Sequence, residues 1–192
     1  MHKECLDGDS IFAIHDFVTP EECGFFIANS EEAGYNEATI TSLAGFVMDK
    51  ETRDNARFIL DDASLAERLW QRARPFLPSA IRDWRVVGLN ERFRFYRYDP
   101  GQKFAPHFDG YFRRDNGEQS QLTFMVYLNA EFSGGATSFY LDNGVHRLCV
   151  RPERGEALVF VHRQLHEGAT VVHGRKYILR TDVMYSLRAG GK

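Results

Sequence analysis

The sequence predicts a mostly β domain with flanking helices, a sandwich or barrel of short strands, and three observations carry that expectation. After Trp84, runs of β-branched and aromatic residues alternate with turn signals, roughly eight strands with no helical pattern between them. The composition is 43% hydrophobic and 14% aromatic, with 16 Phe and 16 Gly against 6 Pro, which suits strands and turns better than a helical bundle. Both helical patterns lie early in the chain, where they would pack outside the strands. A length of 192 residues supports one core. One domain is therefore expected over 1–192, with an N-terminal helical support (1–84) and a β core (85–188).

Taken in order, IFAIHDF (11–17) reads as a strand. Thr19 then offers an N-cap, Pro20 the first helical position and Glu22 the return bond of a capping box, so a helix of roughly four turns should run to a C-cap at Gly34. Residues 35–57 mix β-branched residues with many charges and lack a clean period, reading as a strand and a long loop. A second helix should begin near Asp61 or Asp62, carry Leu65, Leu69 and Trp70 inward, and end around Pro75. Beyond it the strands are GLNERFRFYRY (88–98), KFAPHFD (103–109), LTFMVYLN (122–129), ATSFYL (136–141), HRLCVRP (146–152), ALVFV (157–161) and KYILRTDVMY (176–185), separated by DPGQ, RRDNGEQS, SGG and ERG.

A formal net charge of −3, with basic residues spread along the chain, argues against a nucleic-acid partner. The first residues lack the apolar region of a signal peptide and no stretch approaches a membrane span, so no membrane partner and a cytoplasmic location are expected. Cys5, Cys23 and Cys149 are odd in number and far apart, and read as reduced thiols.

His107 and Asp109 stand two apart in KFAPHFDGYF. On a strand such residues share a face and can reach one point, so the pair is either part of a metal site or a partly exposed strand end. A metal needs a third ligand, and His15, His146, His162, His166 and His173 are available. His166 sits where the ALVFV strand hands over to the next.

RYDPGQKFAPHFD, then YLN, then GGAT, then ERGEALVFVHRQLHEGATVVHGRKY together resemble the Fe(II)- and 2-oxoglutarate-dependent dioxygenases, in their prolyl 4-hydroxylase-like branch, over about residues 88–186. The resemblance implies a double-stranded β-helix, or jelly roll. It also implies a distal ligand followed by Gly at the eighth and a cation at the tenth residue beyond it. His166 meets this with Gly174 and Lys176, whereas His162 has Val172 in the cation's place and His173 has no such partner. His107, Asp109 and His166 are thus the expected catalytic metal ligands, and His162 and His173 take structural or surface roles. Two imidazoles and one carboxylate on one face of an octahedral ion leave three positions open.

The resemblance further implies Fe(II), 2-oxoglutarate as cosubstrate and O2, with ascorbate as an accompanying reductant, and release of succinate and CO2 as the substrate is hydroxylated. Asp109 fills a position that related halogenases leave to a small residue, which favours hydroxylation. Lys176 is assigned to the far carboxylate of 2-oxoglutarate, with Arg180 as its rival four residues on. Tyr98 and Tyr127 match positions where the family places cosubstrate-binding hydroxyls, the alternative being core packing. Related enzymes close a long segment over the site at the place of residues 38–57, which are therefore expected to form a lid. Two departures stand out: Ala136 replaces the Glu of a Gly-Gly-Glu-Thr turn, and Asp182 replaces a Trp six residues after the cation.

The substrate that the resemblance and the strand parity lead one to expect is a protein residue of prolyl type or a small polar or anionic metabolite. Strand parity puts Arg94 and Tyr96 on the face of Tyr98, and Arg180 and Asp182 on the face of Lys176. Those arginines either meet an anionic substrate group or pair with Asp182 or Glu91 as a structural network. Two other readings differ in class: a jelly-roll binding module without turnover, and a cupin-type metal enzyme that does not use 2-oxoglutarate. The second has no use for a cation at the place of Lys176.

Overall fold

A computed structural model describes residues 1–37, 40–42, 45–47 and 54–187. Strands β1 (His2–Asp7) and β2 (Ile11–His15) precede helix α1 (Pro20–Ala33). Between α1 and α2 (Ala63–Ala73) lie β3 (Asn36–Glu37), β4 (Ile40–Ser42), β5 (Gly45–Val47) and β6 (Ala56–Asp61). Then follow β7 (Ala80–Ile81), β8 (Trp84–Leu89), β9 (Arg92–Tyr98), β10 (Phe104–His107), β11 (Gln119–Tyr127) and β12 (Phe132–Gly134). The chain continues through β13 (Thr137–Leu141), β14 (His146–Val150), β15 (Ala157–Val161), β16 (His166–Gly168), β17 (Val171–Gly174) and β18 (Lys176–Leu187).

The larger sheet runs β1-β2-β15-β11-β18-β9-β6-β3, with β8 and then β7 beside the second half of β18. A four-stranded sheet, β10-β16-β13-β14, forms the other wall, and β12-β17 and β4-β5 form small ribbons. This is the mostly β, double-stranded β-helix architecture.

Both helix starts follow their local chemistry. Thr19 accepts from the Glu22 N–H at 3.2 Å while Glu22 accepts from the Thr19 N–H at 2.9 Å, a complete capping box. Asp62 caps α2 by accepting from the Leu65 N–H at 2.9 Å. Two features depart from the sequence reading. The strand expected over 88–98 is two strands, β8 and β9, lying end to end along β18. They part at Asn90, whose N–H donates to the Asp182 carbonyl at 2.8 Å and whose Oδ1 accepts from the Arg92 N–H at 3.2 Å. In the N-terminal portion β2 meets the strand expected over 11–17, while an unexpected strand, β1, pairs with it at one edge of the larger sheet and β3 and β6 extend the other. β1 escapes sequence detection because it is a charged edge strand (HKECLD), paired on one side only. The segment 38–57, expected as a lid, lies largely outside the described residues.

Alternation along the long strands builds two cores from the same residues' neighbours. Phe93, Phe95, Phe124, Val126 and Leu179 pack on one face of the larger sheet with Cys23, Phe26, Leu65 and Leu69 of the helices. Tyr96, Tyr98, Met125, Tyr127 and Ile178 point to the other face and meet Phe139 of the smaller sheet and Phe160 of β15. The site lies in this second core, between the two sheets.

Candidate active site

His107 closes β10 and His166 opens β16, and the two are direct cross-strand partners in the smaller sheet. Their rings lie 4.2 Å apart between centroids. Each ring is turned by the same device. His107 Nδ1 bonds the Ala105 carbonyl at 2.8 Å and His166 Nδ1 bonds the Gln164 carbonyl at 2.9 Å. A carbonyl only accepts, so Nδ1 carries the hydrogen in both rings and each Nε2 presents a lone pair. Both Nε2 atoms face Asp109, 3.7 Å from Oδ1 for His107 and 3.7 Å from Oδ2 for His166. Donor atoms from the three residues lie within 4.8 Å of one another. Phe104 stacks on His107 with centroids 3.5 Å apart, and Phe160 meets His166 edge-on, which leaves the rings little freedom.

Protonation matches this arrangement. Burial pushes the His166 imidazole down to about 4, so it is neutral at physiological pH. Burial also pushes the Asp109 carboxyl up, but the Arg180 guanidinium, 3.0 Å away, outweighs it and holds the group well below the usual range. Two imidazoles with outward lone pairs and one ionised carboxylate form the donor set that a divalent iron ion takes while keeping open positions. The residues present fit such an ion.

Lys176 opens β18 and is 2% exposed. Its Nζ donates to the Gly135 carbonyl at 2.5 Å and lies 5.5 Å from the ring centroids of both Tyr98 and Tyr127. Among the described residues no carboxylate pairs with it. Desolvation alone pushes its ammonium down to about 7. A buried cation without a counter-ion is costly, and a bound anion would relieve that cost. The Gly-Gly turn makes this geometry possible. Gly135 has φ +65°, and a Cβ there would lie 2.9 Å from the Phe132 ring and 3.2 Å from Lys176 Cδ.

Tyr98 lines the pocket with His107, Asp109, His166 and Lys176, and is the strand partner of Lys176. Tyr127 is fully buried and donates to Thr137 Oγ1 at 2.7 Å, so its ring borders Lys176 while its hydroxyl is spent on a neighbour. Arg180 and Tyr96 also line the pocket. Arg180 is committed to carboxylates of the chain itself. It pairs with Asp109 at 3.0 Å and with Asp182 at 3.5 Å, and Asp182 in turn holds Arg94 at 3.2 Å. Glu91 is engaged elsewhere, with Arg114 at 2.5 Å.

Two residues that the sequence reading did not place in the site complete it. Thr123 lines the pocket and donates to Asp109 Oδ2 at 2.6 Å. His162, read as structural or surface, is buried and lies 3.0 Å from Thr123 Oγ1. Strand parity counted back from Tyr127 through Met125 would have found Thr123. No local signal marks His162, whose place follows from the turn after β15.

Residues 93–181 match the family model described as the 2OG-Fe(II) oxygenase superfamily. Among curated proteins the chain is 25% identical over 195 residues to Probable prolyl 4-hydroxylase 3 of Arabidopsis thaliana, covering 86% of this chain and 66% of that protein. The chain thus spans about two thirds of the length of such relatives. Among solved structures it is similar to the viral collagen prolyl hydroxylase of Paramecium Bursaria Chlorella virus-1 in its 2OG complex. The TM-score is 0.67 at 23% identity, covering 94% of this chain and 99% of that one. It is also similar to a Trichoplax adhaerens prolyl hydroxylase in complex with a hypoxia inducible factor oxygen degradation domain peptide fragment, with a TM-score of 0.69 at 16% identity over 93% of this chain and 85% of that one.

Proposed function

We propose, for a chain that belongs to the 2OG-Fe(II) oxygenase superfamily on its prolyl 4-hydroxylase-like branch, that it is an Fe(II)- and 2-oxoglutarate-dependent hydroxylase acting on a prolyl-type residue of a peptide or protein. The observation that carries the reading is the juxtaposition of two unlike features in one pocket: a His107–Asp109–His166 donor set and the buried Lys176, which has no carboxylate partner among the described residues. One binds a metal ion; the other wants the far end of a dianion.

His107, Asp109 and His166 would hold the iron, and Lys176 would hold the far carboxylate of 2-oxoglutarate, with Tyr98 beside it. Together these cofactors supply oxidative decarboxylation to succinate and CO2 coupled to oxygen insertion at a C–H bond. The chain's own contribution is order and exclusion. The carbonyls of Ala105 and Gln164 fix both imidazole tautomers, Arg180 and Thr123 hold the Asp109 carboxylate, and Phe104, Phe160 and Ile178 line the pocket with apolar surface.

A peptide substrate is favoured over an anionic metabolite because Arg94 and Arg180, the two residues that would meet an acid, share Asp182 as their counter-ion. The presence of Lys176 favours 2-oxoglutarate use over a cupin-type reaction without it. The test is incubation with Fe(II), ascorbate and 2-oxoglutarate against a library of proline-containing peptides. Expected are succinate formation that depends on peptide and a mass gain of one oxygen on proline. Uncoupled succinate with no peptide product, but a hydroxylated small acid from cell extract, would replace the peptide with a metabolite. Absence of succinate under all conditions would remove the enzymatic reading.

A further inference from the structure

His107 and His166 are carried by paired strands, but Asp109 is not. It follows the end of β10 in an irregular stretch, so its side chain cannot take its direction from a ladder. Besides the Arg180 ion pair at 3.0 Å, what holds it is a hydrogen-bonded chain that runs away from the pocket into the larger sheet. Asp109 Oδ2 accepts from Thr123 Oγ1 at 2.6 Å; Thr123 Oγ1 lies 3.0 Å from His162 Nδ1; His162 Nε2 lies 2.8 Å from Ser120 Oγ; and Ser120 Oγ accepts from the Phe112 N–H at 2.8 Å. A backbone bond closes the loop, with the Asp109 N–H donating to the His162 carbonyl at 3.1 Å. Thr123 and Ser120 are fully buried and His162 is 6% exposed, so water is not available to substitute for any member.

Satisfying every group fixes the direction of this chain. An ionised carboxylate only accepts, so the single Thr123 hydroxyl hydrogen is committed to Asp109. The Thr123 oxygen must then accept: Arg180 Nη2 is a long donor to it at 3.4 Å, and the His162 Nδ1 facing it at 3.0 Å, which would find no hydrogen on Thr123 to accept, carries the nearer one. Ser120, already accepting from Phe112, has one buried hydroxyl hydrogen left, and the acceptor in reach is the His162 Nε2 lone pair. All donors therefore point the same way, from Ser120 through His162 and Thr123 to Asp109, and any other tautomer strands a buried polar atom.

We infer that His162 is a positioning residue that acts through Thr123 to hold the Asp109 carboxylate in the orientation the site offers to a metal ion, and that it does so as the Nδ1–H tautomer. The inference rests on the reading of His107, Asp109 and His166 as metal ligands. His162 touches neither substrate nor metal space; its effect is exerted on the ligand's geometry and basicity, in the manner of hydrogen-bond partners behind a metal's ligands.

Co(II) is the probe, titrated into the purified protein and followed by its visible absorption, with melting temperature measured on each variant. Thr123→Val keeps the shape of the side chain and removes the hydroxyl; His162→Leu removes the ring's donor. Both are expected to weaken Co(II) binding by about tenfold to a hundredfold. Thr123→Ser, which restores the hydroxyl, and His162→Asn, which restores a donor at the place of Nδ1, should return most of the affinity. A second readout needs no metal: long-range nitrogen–proton correlation spectra of the His162 ring should show a protonated Nδ1 and a bare Nε2. Should His162→Leu fail to fold, Thr123→Val and the ring spectra still decide. Wild-type affinity in Thr123→Val, or a ring protonated at Nε2 alone, overturns the inference while leaving the metal site standing. If wild type binds no Co(II) and His107→Ala is indistinguishable from it, the metal site falls and this inference falls with it.

Discussion

The two faces of β9, β11 and β18 differ in what they bury. Towards the helices the strands present Phe93, Phe95, Phe124, Val126 and Leu179, and the surroundings are almost wholly apolar. Towards the smaller sheet the same strands present Arg94, Tyr96, Tyr98, Thr123, Tyr127, Lys176, Arg180 and Asp182. The first face contributes stability, since each aromatic ring removed from water is favourable and no polar group is left behind. The second opposes it, because every buried charge loses hydration that only a partner can return. Arg94, Arg180, Asp182 and Asp109 offset one another within the chain; among the described residues Lys176 has no such partner. One face is explained by folding alone, and the other makes sense only with something bound.

The comparison breaks most visibly at the metal donor set. His107→Ala, Asp109→Ala and His166→Ala should each reduce peptide-dependent succinate formation to background while the far-ultraviolet circular dichroism stays native, because open-site ligands supply chemistry rather than packing. Activity that survives His166→Ala would mean that another histidine is the third ligand.

On the opposite face the signature should invert. Phe93, fully buried beneath the helices, is expected to cost about 3–5 kcal/mol of unfolding free energy when changed to Ala, while the Michaelis constant for 2-oxoglutarate measured on the folded fraction stays put. Denaturant titration and steady-state kinetics on the same sample separate the two. A large shift in the constant would show that the two cores are coupled rather than independent.

How much of this was legible in the sequence divides along the same line. Period-two alternation marks Phe93 and Phe95 against Tyr96 and Tyr98, and cap chemistry marks α1 and α2, since these signals act between residues a few positions apart. The donor set and Lys176 were legible because their spacing resembles a family's. The Arg180–Asp109 pair, the Thr123–His162 chain and the lysine's bond to the Gly135 carbonyl were not. Each joins segments far apart in the chain, which meet only once the two sheets have folded against each other. β1 was missed because an edge strand buries too little to need an apolar pattern.

Lys176→Ala removes a charge on the polar face that no carboxylate among the described residues balances. Its apparent Michaelis constant for 2-oxoglutarate should rise by about tenfold to a hundredfold, with little effect on stability or even a gain, since the native protein sheds an unpaired buried cation. An unchanged constant here, with a large rise in Arg180→Gln, would move the cosubstrate's carboxylate to Arg180.

The smallest effect expected is also the most specific to Lys176, and it follows from the sign of its displacement. Burial lowers its folded value from 10.5 to about 7, so between those values the unfolded chain holds more protons than the free native protein. In that window the group's contribution to stability rises with pH. Binding of a carboxylate reverses the preference, because the anion favours the ammonium form and draws a proton back onto the amine. Affinity for 2-oxoglutarate should therefore be nearly flat below pH 7 and fall above it, by about threefold between pH 6.5 and 7.5 for a single group titrating near 7. Calorimetry in buffers of different ionisation enthalpy should register proton uptake on binding at the upper end of that range. Lys176→Arg supplies the control, since a guanidinium stays charged throughout and its variant should lose the slope even if it binds less well. The same slope in both proteins would assign the titration to another group and leave Lys176 charged in the free site.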